Sequence, residues 1–120
     1  MARNISFAMT TGQFRQQTKF VTRRNGWKFL KCGDVLNGCV KCMGLKPGEK
    51  IERLGRIVVV DVRPEPLQCL IDWPIYGRTE AILEGFPEMY GHEFAAMFIK
   101  HMGGDLDTER TRIQFEYLEE

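Results

Sequence analysis

The sequence predicts one α+β domain of 120 residues, folded as a small β-barrel with flanking helices. Three patterns support this prediction. The run Ile57-Val58-Val59-Val60 is β-branched throughout and too short for a helix. Residues 91–102 carry apolar side chains at helical spacing. The C-terminal tail alternates apolar and polar residues, as a half-buried strand does.

The composition is that of an ordinary folded protein. Hydrophobic residues make up 43% of the chain and charged residues 28%, which argues against disorder. No apolar run approaches the roughly 18 residues that a membrane span needs, and the N-terminus lacks the apolar stretch of a secretory signal. We therefore expect a single domain over residues 1–120, located in the cytoplasm and without a membrane partner.

In the N-terminal half, the elements are separated by turn signals. The segment Ile5-Ser6-Phe7-Ala8 alternates and predicts a strand. Residues 10–17 can form a helical turn. Residues 18–24 are polar and basic, and the turn signal Asn25-Gly26 closes them. Residues 35–42 have the composition of a strand.

In the C-terminal half, prolines and glycines set the boundaries. A strand is predicted over residues 56–63, ended by Pro64 and Pro66. Residues 76–84 predict a short helix, and residues 91–102 a second one, stopped by Gly103-Gly104. The apolar stripe of that second helix comprises Phe94, Met97, Phe98 and Met102, and one face of the closing strand comprises Ile113, Phe115 and Tyr117.

Four cysteines allow two interpretations. Cys39 and Cys42 form a C-x-x-C, which could make a zinc site with Cys32 and Cys69. However, the C-x-x-C lies in a strand-like segment, where its two thiols would point to opposite faces. We favour buried free thiols, and the sequence predicts no metal and no cofactor.

The near-zero net charge hides an asymmetry. Residues 1–33 contain no acid, whereas residues 34–120 carry a net charge of −6. Such a basic block is a candidate for binding phosphate or another anion. Alternatively, it folds onto the acidic remainder and the charges cancel. The seven basic residues of the block are Arg3, Arg15, Lys19, Arg23, Arg24, Lys28 and Lys31.

The densest group of reactive side chains lies in residues 18–27. A lysine withdrawn from water, such as Lys19, could act as a general base, and the hydroxyl of Thr22 as a nucleophile. Arg23 and Arg24 could grip an anion, while Trp27 could stack on a planar base. The alternative is that these residues form a solvated turn.

The spacing Lys19-x-x-Thr22-x-Arg24 resembles the G-x-K-x-x-T-x-R signature of ASCH domains, which look like relatives of the PUA RNA-binding fold. Gln17 stands where the signature has glycine. The resemblance covers nearly the whole chain and extends to short ASCH-like proteins often found in phages and prophages. It continues in Leu30-Lys31-x-Gly33-Asp34, Met43-Gly44-Leu45-Lys46, Glu84-Gly85-Phe86-Pro87 and Arg112-Ile113-x-Phe115-Glu116-Tyr117.

The resemblance implies a small PUA-like barrel with the Lys/Thr/Arg segment lining a cleft that faces nucleic acid or a nucleoside. Some ASCH relatives are amidohydrolases that act on acetylated cytidine through a lysine, a threonine and a glutamate. Lys19 and Thr22 match the first two by position. Glu84 is our choice for the third, with Glu80 as the alternative. Tyr76 could also line the cleft.

Three functions follow as expectations. The first is binding of RNA or a modified nucleoside through the Lys19/Thr22/Arg24 cleft. The second is hydrolysis on the same fold, by an amidohydrolase or a ribonuclease using Lys19, Thr22 and Glu84. The third is a phage-type accessory protein that docks onto a host protein. If the signature glycine is needed for a positive φ, Gln17 would shift the loop.

Overall fold

The computed structural model describes residues 2–42 and 45–119, and it has a mixed α+β fold with five strands and four α-helices. Met43 and Gly44 of the ASCH-like pattern lie outside the described residues. The strands are β1 (Arg3–Ser6), β2 (Val21–Arg24), β3 (Val35–Cys39), β4 (Arg53–Pro66) and β5 (Glu109–Tyr117). The helices are α1 (Thr11–Arg15), α2 (Cys69–Asp72), α3 (Pro74–Leu83) and α4 (Gly91–Met102), with a 3₁₀ turn at Ala8–Thr10.

All five strands form one curled, half-barrel sheet in the order β1-β3-β4-β5-β2. The β1–β3 pair is parallel and the other pairs are antiparallel. Bulges interrupt the β3–β4 pairing between Gly38 and Cys39 and the β4–β5 pairing between Val59 and Asp61. Because bulges increase twist and bend a strand, they favour a curled sheet. The two edges of this open barrel are β1 and β2.

Strand β4 is longer than predicted. It begins at Arg53 and runs through Pro64, which pairs with Thr111, to end at Pro66. The register with β3 reaches only Val58, so beyond this point β4 has β5 on one side only among the described residues. A proline, which lacks an N–H, is tolerated at such an edge position.

Strand β2 was not predicted, because residues 18–24 carry the composition of a loop. In the structure Val21–Arg24 pairs with β5, placing Thr22 opposite Ile113 and Arg23 opposite Arg112. Thr22 and Arg23 are both buried despite their polarity. Placing the two side chains on a strand fixes them on opposite faces of the sheet.

The helices agree with the sequence more closely. The predicted helix over residues 91–102 is α4 (Gly91–Met102), and the predicted helix over residues 76–84 is α3, which begins earlier, at Pro74. Gly77 has a packing role, since a Cβ there would lie 2.0 Å from the carbonyl oxygen of Leu70 and 3.1 Å from Gly91 Cα. Its lack of a side chain lets α2, α3 and α4 pack closely.

The apolar core has two parts. One part fills the half-barrel and the other lies among the helices. Buried ion pairs join β2 to β4, and β2 and β5 to α3 and the residue that follows it, and thereby link the sheet to the helical part. The first cluster comprises Ile5, Phe7, Phe14, Leu30, Leu36, Ile57, Val59, Ile113 and Phe115, and the second Leu67, Leu70, Ala81, Phe94, Ala95 and Phe98.

The four cysteines are free thiols. Cys39 is buried, but Cys32 is exposed, and Cys42 and Cys69 are half-buried, so the expectation of burial holds fully only for Cys39. Within residues 2–42 and 45–119, no three cysteine, histidine or acidic side chains are grouped so as to hold a metal ion. In the same residues, the structure contains no helix long and apolar enough to span a membrane.

Candidate functional site

A cavity of about 230 Å³ opens between the two edges of the half-barrel and α4. One side is formed by residues that follow β1 and by β2, and the other by α4. Its charged lining comprises Lys19, Arg23, Arg24 and Glu84, with the hydroxyl residue Thr22 beside them. Its apolar lining includes Phe86, Phe94, Met97 and Phe98. The cavity therefore combines a charged end with an aromatic and methionine wall.

Lys19 and Glu84 form a buried ion pair inside this cavity. Lys19 Nζ lies 2.7 Å from Glu84 Oε1 and donates a second hydrogen bond, of 2.9 Å, to the Glu84 carbonyl oxygen. Both side chains are 3% exposed. The residues are 65 positions apart, so the contact depends on the tertiary fold. The lysine and the glutamate chosen from the sequence for the site are thus in direct contact.

The Lys19 ammonium is destabilised by its surroundings. Burial lowers the pKa of Lys19 below its ordinary 10.5, although the Glu84 carboxylate acts in the opposite direction. The positive charges of Arg24 and Arg23 lower the pKa further. Desolvation penalises the charged form of an amine, and nearby cations add to the effect. Lys19 can therefore lose its proton more readily than an exposed lysine.

Arg23 is the centre of the ionic network. Its side chain is fully buried, and its Nη atoms lie 2.8 Å from Glu65 Oε1, 2.6 Å from Glu80 Oε1 and 2.9 Å from Glu84 Oε2. Burial alone would lower the pKa of Arg23, but the carboxylates of Glu84, Glu80 and Glu65 raise it overall. The residue lines the cavity, yet its two terminal nitrogens are occupied by protein carboxylates.

The other candidate glutamate, Glu80 on α3, forms no ion pair with Lys19. It binds Arg112 at 2.5 Å (Nε to Oε1) and 3.0 Å (Nη2 to Oε2), besides Arg23. Burial would raise the pKa of Glu80, but the hydrogen bond from Arg112 and the charge of Arg23 lower it overall. Of the two candidate glutamates, Glu84 is therefore the one in contact with Lys19, and Glu80 forms ion pairs with Arg23 and Arg112.

Thr22 and Arg24 lie next to each other at the same cavity. Arg24 Nε donates a 3.0 Å hydrogen bond to Thr22 Oγ1, and its guanidinium carbon lies 5.0 Å above the centre of the Phe7 ring. Within the described residues, Arg24 forms no ion pair. Burial lowers the pKa of Arg24 to about 10, although the Glu84 carboxylate acts in the opposite direction. A guanidinium that donates to Thr22 could stabilise negative charge on its hydroxyl oxygen.

Two of the predicted ligand contacts lie away from this cavity. Trp27 packs against the half-barrel core, with its ring centre 5.5 Å from that of Phe29. The hydroxyl of Tyr76 donates to Glu65 Oε2 at 2.7 Å and accepts from Arg63 Nη2 at 2.6 Å. Neither residue belongs to the cavity lining. Tyr76 instead forms hydrogen bonds with the ionic network through Glu65 and Arg63.

Sequence reasoning missed several members of the site. Glu65 and Arg112 complete the network around Arg23 and Glu80. Arg112 belongs to the closing ASCH-like pattern, but that pattern assigns it no role in the site, and Glu65 stands in a strand segment without a recognisable spacing. The wall formed by Phe94, Met97 and Phe98 was predicted as a helical stripe and not as a cavity lining. That apolar stripe was the available signal, since one helix face can serve both a core and a pocket.

The basic block at the N-terminus does not form one free cationic surface. Lys19 and Arg23 are neutralised by buried carboxylates, and Arg15 pairs with Glu52. Arg3 lies 4.6 Å above the ring of Phe29. Part of the block thus folds onto the acidic remainder, as the second interpretation of the charge asymmetry expects, while Arg24 lines the cavity without an ion-pair partner among the described residues.

Comparison with known proteins identifies the fold. No protein-family model matches the sequence, and no curated protein matches it. Among solved structures, the chain is similar to protein EF3133 from Enterococcus faecalis, described by the family model DUF984. The TM-score is 0.61 and the identity 14%, over 98% of this chain and 76% of the other. The similarity supports the mixed α+β, barrel-like architecture.

Proposed function

We propose that the cavity binds a modified nucleoside and that the domain is a PUA-like barrel of the ASCH type. The observation that carries the proposal is the convergence of Lys19, Thr22, Arg24 and Glu84 on one cavity. The ASCH-like spacing marks the first three of these residues, and Glu84 is the glutamate chosen to complete the set. The opposite wall offers Phe94 and other aromatic rings, and such rings pack well on a planar base.

The size and burial of the site favour a nucleoside over a length of RNA. The cavity, at about 230 Å³, lies just below the ~300–1,000 Å³ typical of small-ligand pockets. Binding along an RNA backbone instead uses exposed cations spread over a surface. Here Lys19 and Arg23 are each 2% exposed and engaged with carboxylates. A small planar ligand that enters the cavity suits this arrangement better.

Hydrolysis of an acyl amide on the bound base is the second candidate function, favoured by the environment of Lys19. Lys19, with its lowered pKa, would take the proton of the Thr22 hydroxyl, and Thr22 Oγ1 would attack the amide carbonyl. The protonated Lys19 would then return the proton to the leaving amine. A water, with Lys19 again as the base, would then attack the acyl ester on Thr22, break its C–O bond, release the acyl group as a carboxylic acid and restore the Thr22 hydroxyl.

In this scheme Glu84 is a positioning residue. Its Oε1 accepts from Lys19 and its Oε2 from Arg23, so both oxygens already have protein partners. It therefore holds the amine in place and sets its charge, while Lys19 carries the proton.

Isothermal titration with cytidine acetylated on its exocyclic amine tests the binding proposal. We expect saturable one-to-one binding that changes little with salt, is lost in Lys19→Met and is retained in the control Arg15→Gln. In the same samples, release of acetate tests hydrolysis, and Thr22→Val should bind the ligand without releasing acetate. Steeply salt-dependent retention of labelled RNA, with no nucleoside binding, would support the RNA-binding alternative instead. A host-protein docking domain would show neither.

A further inference from the structure

We infer that the cavity contains a subsite for an anion at Arg24, so that the ligand carries a carboxylate or a phosphate group. The inference rests on the proposed function for the nucleoside part of the ligand and on the structure for the anion. It narrows the substrate class from a neutral modified nucleoside to one bearing a negative charge.

The charges around the cavity balance without Arg24. Lys19, Arg23 and Arg112 are paired with three buried carboxylates, those of Glu84, Glu65 and Glu80. At the outer end of the network, Arg63 and Asp61 add one charge of each sign and pair with each other at 3.3 Å. Each of these cations thus has a carboxylate partner within the described residues, and Arg24 is the additional cation.

The contacts of Arg24 leave its terminal nitrogens available. Its Nε is used by Thr22 Oγ1, and its guanidinium lies over the Phe7 ring. Among residues 2–42 and 45–119, its two Nη atoms have no hydrogen-bond partner in the protein. Glu84, the acidic side chain in the cavity lining, already binds Lys19 and Arg23 with its two oxygens. Within the described residues, a ligand anion would therefore meet no competing acceptor at these Nη atoms.

The energetics favour such an anion. Arg24 is half-buried, and a partly desolvated guanidinium without a counter-charge is costly, so an oxyanion that binds its Nη groups reduces that cost. Planar guanidinium groups bind carboxylates and phosphates through two parallel hydrogen bonds. The lowered pKa of Arg24, caused by burial, agrees with a cation that lacks a partner in the free protein.

Titration calorimetry at low ionic strength with three ligands tests the subsite. The ligands are acetylated cytidine, its 5′-monophosphate, and cytidine bearing a succinyl group on the same amine. The first ligand is neutral, the second carries its anion on the sugar, and the third carries its anion on the acyl group. We expect one of the two anionic ligands to bind about ten- to hundredfold more tightly than the neutral one. Which one gains affinity identifies the source of the anion.

Variants of Arg24 make the inference falsifiable. Arg24→Gln should abolish the preference for the anionic ligand, Arg24→Lys should keep part of it, and the control Arg15→Gln should keep all of it. Thermal unfolding of each variant checks that it is folded. Equal affinity for all three ligands, or an undiminished preference in folded Arg24→Gln, would overturn the anion subsite and leave the proposed function intact.

If none of the three ligands binds, the proposed function fails. Inorganic phosphate and acetate, titrated alone, then test the subsite independently of the nucleoside. Binding of either one that depends on Arg24 would support the anion subsite, and absence of binding would overturn it too.

Discussion

Lys19 Nζ donates to both the side-chain and the main-chain oxygen of Glu84, at 2.7 and 2.9 Å. The contact joins the segment before β2 to the end of α3, and no sequence-local pattern could enforce it. Because the backbone carbonyl of Glu84 takes part, the amine is fixed by the course of the chain as well as by the carboxylate. The position of Lys19 in the cavity is thereby determined by α3.

Loss of the Glu84 charge should be strongly destabilising. Glu84→Gln leaves Lys19 and Arg23 buried with too little negative charge, and breaking a buried pair in this way costs about 3–5 kcal/mol. Urea unfolding monitored by circular dichroism measures the change. The matched control is Arg15→Gln, which removes an exposed ion pair with Glu52 and should cost less than about 1 kcal/mol. Equal effects of the two variants would contradict the buried network.

The lowered pKa of Lys19 has a consequence for stability at alkaline pH. In the unfolded chain Lys19 has its ordinary pKa of 10.5, and in the folded protein the pKa lies below this value. Between the two values the unfolded state binds more protons, so the free energy of unfolding rises with pH through that window. The wild type should gain stability relative to Lys19→Met as the pH increases there. Urea unfolding of both proteins at several alkaline pH values measures the difference between their free energies of unfolding. A difference that stays constant or falls with pH would argue against a lowered pKa of Lys19.

Tyr76 should affect stability and leave ligand binding unchanged. Its hydroxyl donates to Glu65 and accepts from Arg63, but it does not line the cavity. Tyr76→Phe removes these bonds at a cost of about 1–2 kcal/mol. Thermal unfolding tests the first part, and titration with acetylated cytidine tests the second. A large loss of affinity in a folded Tyr76→Phe protein would restore the direct ligand contact predicted from the sequence.

Gln17 occupies a conformation that suits glycine. Its φ is 57°, in the left-handed region, where a residue with a Cβ pays about 1–2 kcal/mol. Gln17→Gly removes this strain but adds chain entropy to the unfolded state, so we expect a net gain of about 0.5–1 kcal/mol. Gln16→Gly is the matched control, since Gln16 has φ −81° and gains nothing from glycine. Denaturant unfolding gives the free energy of unfolding of the two variants. An equal loss of stability in both would contradict the backbone strain at Gln17.

The value of φ at Gln17 also answers a question posed by the sequence. The ASCH signature has glycine at this place, and Gln17 adopts a positive φ itself. The loop therefore keeps the conformation that glycine would allow, at the cost of local strain. Substitution at this position does not prevent Lys19 and Thr22 from reaching the cavity.

Local patterns predicted the elements whose structure depends on nearby residues. The stripe of Phe94, Met97 and Phe98 predicted α4 at its observed bounds, because an amphipathic helix buries one face whatever its partner is. Strand β2 escaped prediction because Thr22 and Arg23 are polar and yet buried. The burial of Arg23 is compensated by carboxylates far away in sequence, and periodicity carries no information about such partners.

The candidate site, like the fold, was predicted only in part. The spacing of Lys19, Thr22 and Arg24, together with the resemblance, placed three cavity residues and suggested Glu84. It could not distinguish the side chains that face the cavity from those that serve the network behind it, such as Tyr76. That distinction depends on which face of a strand or helix meets its neighbour.

The most direct test of the proposed nucleoside site is to locate the bound ligand. Nitrogen-labelled protein titrated with acetylated cytidine and followed by two-dimensional NMR reports which amides respond. We expect saturable shifts concentrated at Lys19, Thr22, Arg24 and the α4 residues Phe94 and Phe98. Shifts confined to other surfaces of the protein would contradict the claim that the nucleoside binds in this cavity. The absence of shifts up to the solubility limit of the ligand would contradict it as well.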